Sequence, residues 1–377
     1  MKRDREWIRD MIRGCLTGGM IGDGLGLPFE MMRPEDIWMG VPGGEVTGFI
    51  ADPTGCSEEI RRRLKKRPVG MISDDTQLTL ASADSLVRLG GFDLANQAIA
   101  LVEAYHFNTD NVYGWGGTTL DAAAELSEWF ASGGVRGRGP MTPVPIPTMS
   151  GKGCGNGVAM RIGPLAIYHA LTYDRNAADF FPDMRALGLM THGDARAWIA
   201  AACVGLVVST PLLEGRLSAI DFVDLSGNGE CGGCDTMEVG GIEKLTTCII
   251  CNSRQMEEEE ADRIPDIRSL SVTLGNAFRN LDDPQLLREF IGTSSFALES
   301  VPFAIATFLR HPTDFRAAVL EAVNAGGDTD TTASMVGAMV GANVGASGIP
   351  AEWIEMVPAT SRASELADEM IKKFYRP

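Results

Sequence analysis

The alternation of apolar and polar positions is helical along almost the whole 377-residue chain. Residues 5–29 space Met11, Ile12, Cys15, Leu16, Gly18, Gly19 and Gly22 as a helix rich in small residues, which can sit deep among others and ends near Pro28. Ser73 predicts the cap of a helix to about Arg88, with Leu78, Ala81, Leu86 and Leu89 on its apolar face and Gly90-Gly91 as its stop. Helical patterns recur at 93–107, 118–130 and 158–171, and at 182–212 as two helices around Thr191-His192-Gly193-Asp194. They return at 283–310, 313–325 and 351–374. No stretch alternates convincingly as a strand, and no internal repeat is visible. The expected fold class is therefore all-α, with one helical domain over 1–377.

Three stretches break the pattern. Residues 31–70 carry Pro, Gly and the basic run Arg61–Arg67, which reads as a solvated face or loop. Residues 131–156 are a long Gly- and Pro-rich connection, a length that is often functional. Residues 225–262 read as an insertion in a loop between core helices. They hold Cys231-Gly-Gly-Cys234, Cys248-Ile-Ile-Cys251 and an acidic run. Two CxxC pairs thirteen residues apart suit a Cys₄ structural Zn²⁺ site, each pair presented by a turn. Disulfides and free thiols are the alternatives.

Composition narrows the class. Hydrophobic residues make up 45% and charged ones 22%, ordinary for a globular domain with a sizeable core. A net charge of −17 argues against a nucleic-acid partner, which requires clustered Lys and Arg. The N-terminal residues are charged and lack an apolar signal core, so a cytoplasmic protein is expected, with its scattered cysteines reduced. The uncharged run Thr331–Pro350 is long enough for a membrane span but is built of Gly, Ala, Ser, Thr and Asn. Gly337, Gly341 and Gly345 leave one bare face, as tight packing in a soluble helical core needs, and no membrane is expected.

The candidate chemistry lies in two acid motifs. Asp328-Thr-Asp330-Thr331 follows Gly326-Gly327 and opens a helix; Ser73-Asp74-Asp75-Thr76 opens another. Each reads by itself as a capped helix start. If the two starts face each other, four carboxylates meet, and they cannot all stay ionised at low dielectric. Carboxylate and hydroxyl oxygens are hard ligands, so two divalent cations would resolve the repulsion. Weaker signals are the Gly-rich turn around Gly114, Gly116 and Gly117, which can offer N–H groups to a pyrophosphate or be a plain loop, and Gly155-Asn156-Gly157.

Together Gly14–Glu30, Ser73–Thr76, Gly155–Arg161, Thr191-His192 and Gly326–Thr332 resemble the ADP-ribosylglycohydrolases, in the family's order from about residue 10 to about 350. The resemblance implies a compact, orthogonal multi-helix domain with a dinuclear Mg²⁺ or Mn²⁺ site. It implies that Ser73, Asp74 and Asp75 hold one ion, Asp328 and Thr331 the other, and that Asp330 bridges. Glu30 matches an acid that acts in catalysis in part of the family, alongside Asp75 and Asp330, and Asp110 is a weaker second candidate. Gly114, Gly116 and Gly117 would face the pyrophosphate, Asn156 and Gly157 the distal ribose, with His192 nearby. Ser73 stands where many relatives have Thr, and the clustered cysteines depart from the family. The implied activity is cleavage of the C1″ bond between ADP-ribose and an acceptor, an ADP-ribosylated protein linked through arginine or serine, by a chain that is monomeric as the family leans. The alternatives are an ADP-ribose-binding module without catalysis and a hydrolase of another nucleotide-linked or small glycoside.

Overall fold

A computed structural model describes residues 4–107, 114–133, 153–176, 179–218 and 241–376. The helices of the first half are Arg5–Gly26 (α1), Pro34–Gly40 (α2), Glu58–Lys66 (α3), Asp74–Leu89 (α4), Leu94–Phe107 (α5), Gly117–Ala131 (α6), Gly163–Asn176 (α7) and Phe180–Leu189 (α8). Those of the second half are Ala195–Glu214 (α9), Gly241–Glu259 (α10), Leu270–Arg279 (α11), Pro284–Phe290 (α12), Ala297–Arg310 (α13), Phe315–Asn324 (α14), Thr329–Val344 (α15), Ala351–Met356 (α16) and Thr360–Phe374 (α17). Among the described residues the only β pairing is two isolated bridges, Met32 with Gly327 and Gly155 with Phe296. The fold is all-α, as the periodicity predicts.

Several boundaries follow their local signals. Ser73 caps α4 through its side chain, and Gly90 ends it in the left-handed region at φ 80°, which glycine adopts without strain. Other expectations need correcting. The basic run is not a loop: it lies largely on a regular helix, α3, started by the Ser57 cap with Ile60 and Leu64 buried, and Arg61, Arg62, Lys65 and Lys66 form the expected solvated face. The 351–374 pattern is two helices, broken around Pro358. The second half of the expected 225–262 insertion is α10: Leu245, Ile249 and Met256 are buried and the helix lies against α9 and α11. Residues 241–259 thus belong to the helical body, because their i, i+4, i+11 apolar stripe outweighs the acidic tail.

The centre is the pair α1 and α15. A Cβ added at Gly14, Gly18, Gly22 or Gly26 would fall 2.1, 2.1, 2.0 and 2.4 Å from the carbonyl oxygens of Gly341, Gly337, Ala333 and Thr329. Rising numbers on one helix meet falling numbers on the other, so the helices run antiparallel with backbone against backbone. Small residues every fourth position permit this approach. It is the bare face expected of Gly337 and Gly341. α15 is buried on all sides except at Ala338, with α9, α13 and α14 also against it. Among the described residues α9 is the one helix long and apolar enough to cross a membrane, and it is buried inside the body.

This contact makes a sharp prediction. Gly18→Ala should destabilise the protein by about 2 kcal/mol or more, because its methyl meets a backbone oxygen that yields only if the helices part. Gly19→Ala, whose Cβ would have its nearest neighbour at 3.6 Å, should be neutral or stabilising by up to about 1 kcal/mol. Urea unfolding of both variants checks this, and equal midpoints would rule the backbone contact out.

Candidate active site

The α1–α15 contact places three helix ends together. Thr329 Oγ1 donates to the Gly26 carbonyl at 2.9 Å, fixing where α15 starts against the end of α1. Just before Gly26 on α1, Asp23 is fully buried. Its carboxylate accepts from the Ser73 N–H (3.0 Å), the Thr76 N–H (3.2 Å) and Thr76 Oγ1 (2.5 Å). Asp23 therefore holds the N-terminus of α4 from outside, satisfying N–H groups that no helical carbonyl reaches. Ser73 Oγ accepts from the Asp75 N–H at 3.2 Å. Thr331 Oγ1, in the first turn of α15, donates to Asp75 Oδ2 at 3.2 Å. The two acid motifs meet directly.

Asp328 occupies the cap position of α15, yet its side chain makes no cap bond. Instead Asn156 Nδ2 donates to Asp328 Oδ2 at 2.8 Å and to Ser300 Oγ at 3.1 Å. Gly326 and Gly327 turn the chain into α15 with φ of 72° and 76°, and a Cβ at Gly327 would lie 2.4 Å from the Thr293 carbonyl. Only glycine fits there. Gly327 also bridges to Met32, which brings Glu30 alongside. Arg67 Nη2 donates to Glu30 Oε2 at 2.6 Å, and Arg63 Nη1 to the Glu30 carbonyl at 2.8 Å. Two arginines of the basic run thus turn inward, and Glu30 is a half-buried, ion-paired acid.

The opposite wall comes from the 153–157 loop and α6. Asn156 N donates to the Ser295 carbonyl at 3.0 Å, holding the loop to the start of α13. A Cβ at Gly157 would lie 3.2 Å from His192 Cε1 and 3.3 Å from Thr119 Oγ1. One at Gly114, whose φ is 88°, would lie 2.4 Å from Asp74 Oδ1. Trp115 Nε1 donates to Gln77 Oε1 at 2.8 Å, tying this turn to α4. Gly116 and Gly117 face open space at the start of α6, which has no side-chain cap.

Five buried carboxylates repel one another here. Burial, and then Asp23, Asp328 and Glu30, push the Asp74 carboxyl up to about 8. Burial raises Asp75 and Asp330 well above the usual carboxylate range, with neighbouring acids adding to it. Asp23 rises to about 6, since burial outweighs the hydrogen bonds it accepts. Asp75 Oδ1 and Asp330 Oδ1 are buried without a hydrogen-bond partner. Such oxygens are costly unless protonated or matched to a cation. Among the described residues no three His, Cys, Asp or Glu side chains form a ready-made cage, so the Ser73 and Thr331 hydroxyls and water would have to complete any shell. An all-oxygen donor set with orphaned carboxylate oxygens fits hard divalent cations.

The structure brings Ser73, Asp74, Asp75, Asp328, Asp330, Thr331, Glu30, Gly114, Asn156, Gly157 and His192 to one place. Asp110, Cys231 and Cys234 lie outside the described residues. Cys248 and Cys251 sit on α10 and not on the turn expected for them. Sequence reasoning missed Asp23, Arg67 and Arg161. The signal for Asp23 was available: it is an acid flanked by Gly22 and Gly24 near the end of a helix otherwise built to be buried. Arg161 is 2% exposed and its Nη1 has no partner.

Over residues 4–377 the chain matches the family model described as ADP-ribosylglycohydrolase. It is 26% identical to ADP-ribosylhydrolase ARH3 of Bos taurus over 97% of this chain and 93% of that protein. ADP-ribosylarginine hydrolase Tri1 of Pseudomonas putida is 23% identical, over 98% of this chain and 80% of that one. A solved structure described as an ADP-ribosylglycohydrolase-related protein complex shares the fold, with a TM-score of 0.62 at 21% identity, covering 98% of this chain and 99% of that one. The facing acid motifs, the all-helical frame and the end-to-end family match make this chain a member of the ADP-ribosylglycohydrolase family.

Proposed function

We infer that the chain hydrolyses the C1″ glycosidic bond of ADP-ribose attached to an acceptor, with two Mg²⁺ or Mn²⁺ ions as cofactors. The observation that carries this reading is the convergence of buried acids from α1, α4 and α15, two of them with orphaned oxygens, in a chain of this family. Ser73, Asp74 and Asp75 would hold one ion, Asp328 and Thr331 the other, and Asp330 both. When bound, the ions neutralise the carboxylates and supply Lewis acidity toward a water and the vicinal hydroxyls of the distal ribose.

The protein's own groups do the rest. Asn156 fixes Asp328, and so the far side of the cluster. Gly114 packs against Asp74 without a Cβ that would collide with its carboxylate, and the open N-terminus at Gly116 and Gly117 suits a pyrophosphate. Glu30, oriented by Arg67, positions the attacking water or passes a proton to the leaving group, within reach of an oxocarbenium-like transition state. The substrate is an ADP-ribosylated protein, with arginine and serine as the candidate linkages. Cys248 and Cys251 occupy i and i+3 on one face of α10, so both thiols can reach one ion; with Cys231 and Cys234 they constitute the proposed zinc site.

Asp74→Ala and Asp330→Ala should each lower ADP-ribose release by at least about a thousandfold while the protein stays folded. Release assays on arginine- and serine-linked substrates, with Mg²⁺ and Mn²⁺ compared, check this. Undiminished activity in both variants, or full activity in metal-stripped protein, would sink the mechanism; tight ADP-ribose binding without turnover on any linkage would mark a reader instead.

The raised carboxyl pKa values also bear on stability. Asp74 titrates near 8 in the folded chain and near 4 when unfolded. Its contribution is therefore fully present below about pH 4 and lost as pH rises through 8. Metal-free protein should melt several degrees lower at pH 8.5 than at pH 5, and added Mg²⁺ or Mn²⁺ should restore most of the difference at the higher pH. A melting temperature flat across that range, with no response to metal, would contradict the buried cluster. Metal analysis of protein purified without chelator should find about one zinc per chain; less than about half an equivalent would count against the Cys₄ site.

A further inference from the structure

The Thr191-His192 pair, buried between α8 and α9, is wired to Arg161 in a way that fixes what His192 can do. Arg161 Nη2 donates to Thr191 Oγ1 at 2.8 Å, and a guanidinium has no lone pair to accept in return. The Thr191 hydroxyl therefore keeps one proton to donate. Its two acceptors are His192 Nδ1 at 2.9 Å and the Gly188 carbonyl at 3.5 Å. The Gly188 oxygen already accepts the N–H groups of Thr191 (3.1 Å) and His192 (2.9 Å), which occupy both its lone pairs. The shorter contact and the doubly occupied carbonyl favour Nδ1 as the acceptor of the hydroxyl proton, which would place the ring proton of a neutral imidazole on Nε2. Nε2 lies along the 155–157 loop: Cβ atoms added at Gly155 and Gly157 would be 3.3 and 3.5 Å from it.

We propose that Arg161 and Thr191 are positioning residues that lock His192 as the Nε2–H tautomer, a fixed hydrogen-bond donor to a sugar hydroxyl seated against Gly155–Gly157. Burial and the Arg161 charge hold the imidazole neutral, pushing its pKa down to about 3. With Nε2 protonated, the one lone pair of His192 is on Nδ1, turned to the Thr191 hydroxyl and not to the 155–157 loop. It donates and does not act as a base, which leaves proton transfer to carboxylates such as Glu30. The sugar-donor role rests on the hydrolase reading above; the tautomer rests on the hydrogen-bond geometry of Arg161, Thr191 and Gly188.

The test is nitrogen NMR on the full chain labelled with ¹⁵N-histidine. The chain has 4 histidines, and His192→Gln identifies the resonances of this one. The wild-type ring should show a protonated Nε2 and a bare Nδ1. Thr191→Ser should preserve that pattern. Thr191→Val should move the proton to Nδ1 or mix the tautomers, and lower kcat/KM for ADP-ribosylated substrate about tenfold, the value of one hydrogen bond, with helicity by circular dichroism unchanged. An Nδ1–H ring in the wild type, or an unchanged ring in Thr191→Val, overturns the relay. A shifted tautomer with undiminished kcat/KM overturns the donor role. A wild-type Nε2–H ring in a chain that binds ADP-ribose but cleaves no linkage supports the donor and overturns the hydrolase reading instead.

Discussion

Everything at the site depends on the backbone contact between α1 and α15. Four glycines on one helix meet Gly341, Gly337, Ala333 and Thr329 on the other, at a distance no other side chain allows. Glycine in a helix sacrifices backbone entropy, roughly 0.5–1 kcal/mol at each position relative to alanine. The return is register. Because the contact repeats every fourth residue along both helices, the end of α1 is held against the start of α15, and the side chains of Asp23, Glu30, Asp328 and Asp330 come together without making the contact themselves.

That geometry concentrates negative charge where water cannot screen it. Asp23 is the member most fully satisfied by the protein, through the N–H groups and hydroxyl at the start of α4. Asp75 and Asp330 each keep a buried oxygen with nothing to bond to. The helix dipoles of α4 and α15 point their positive ends at these acids and relieve part of the strain. Arg67 serves Glu30, and Arg161 lies near enough to Asp74 for the carboxylate to support its charge against burial. The partial satisfaction is what distinguishes this cluster from a pair of ordinary helix caps, whose acids the helix N–H groups would satisfy.

Much of this was legible in the chain. The helical periodicity predicted the elements, and the bare glycine face of residues 337–345 predicted a close helical neighbour. Asp328 shows where reading stops. Its position says helix cap, and only the fold reveals that its carboxylate answers to Asn156, 172 residues away. Arg67 lies among basic residues that a sequence reader assigns to solvent, and its inward turn depends on Leu27 and Glu30 standing opposite. α10 was hidden because its acidic end and the neighbouring cysteines suggested an insertion, while its few buried apolar positions decided otherwise.

By itself the sequence determined the fold class, the two acid motifs and the glycine spacing, because each is a local pattern read within a few turns of chain. The family followed from the order of those motifs. What only the tertiary structure decided is how the motifs face one another: Asp23 beneath α4, Asn156 on Asp328, Thr331 on Asp75, and the Arg161–Thr191–His192 chain. Apart from the Thr191–His192 step, those pairings join residues far apart in sequence, and their energies arise from burial and mutual charge, which exist only once the helices have closed around them.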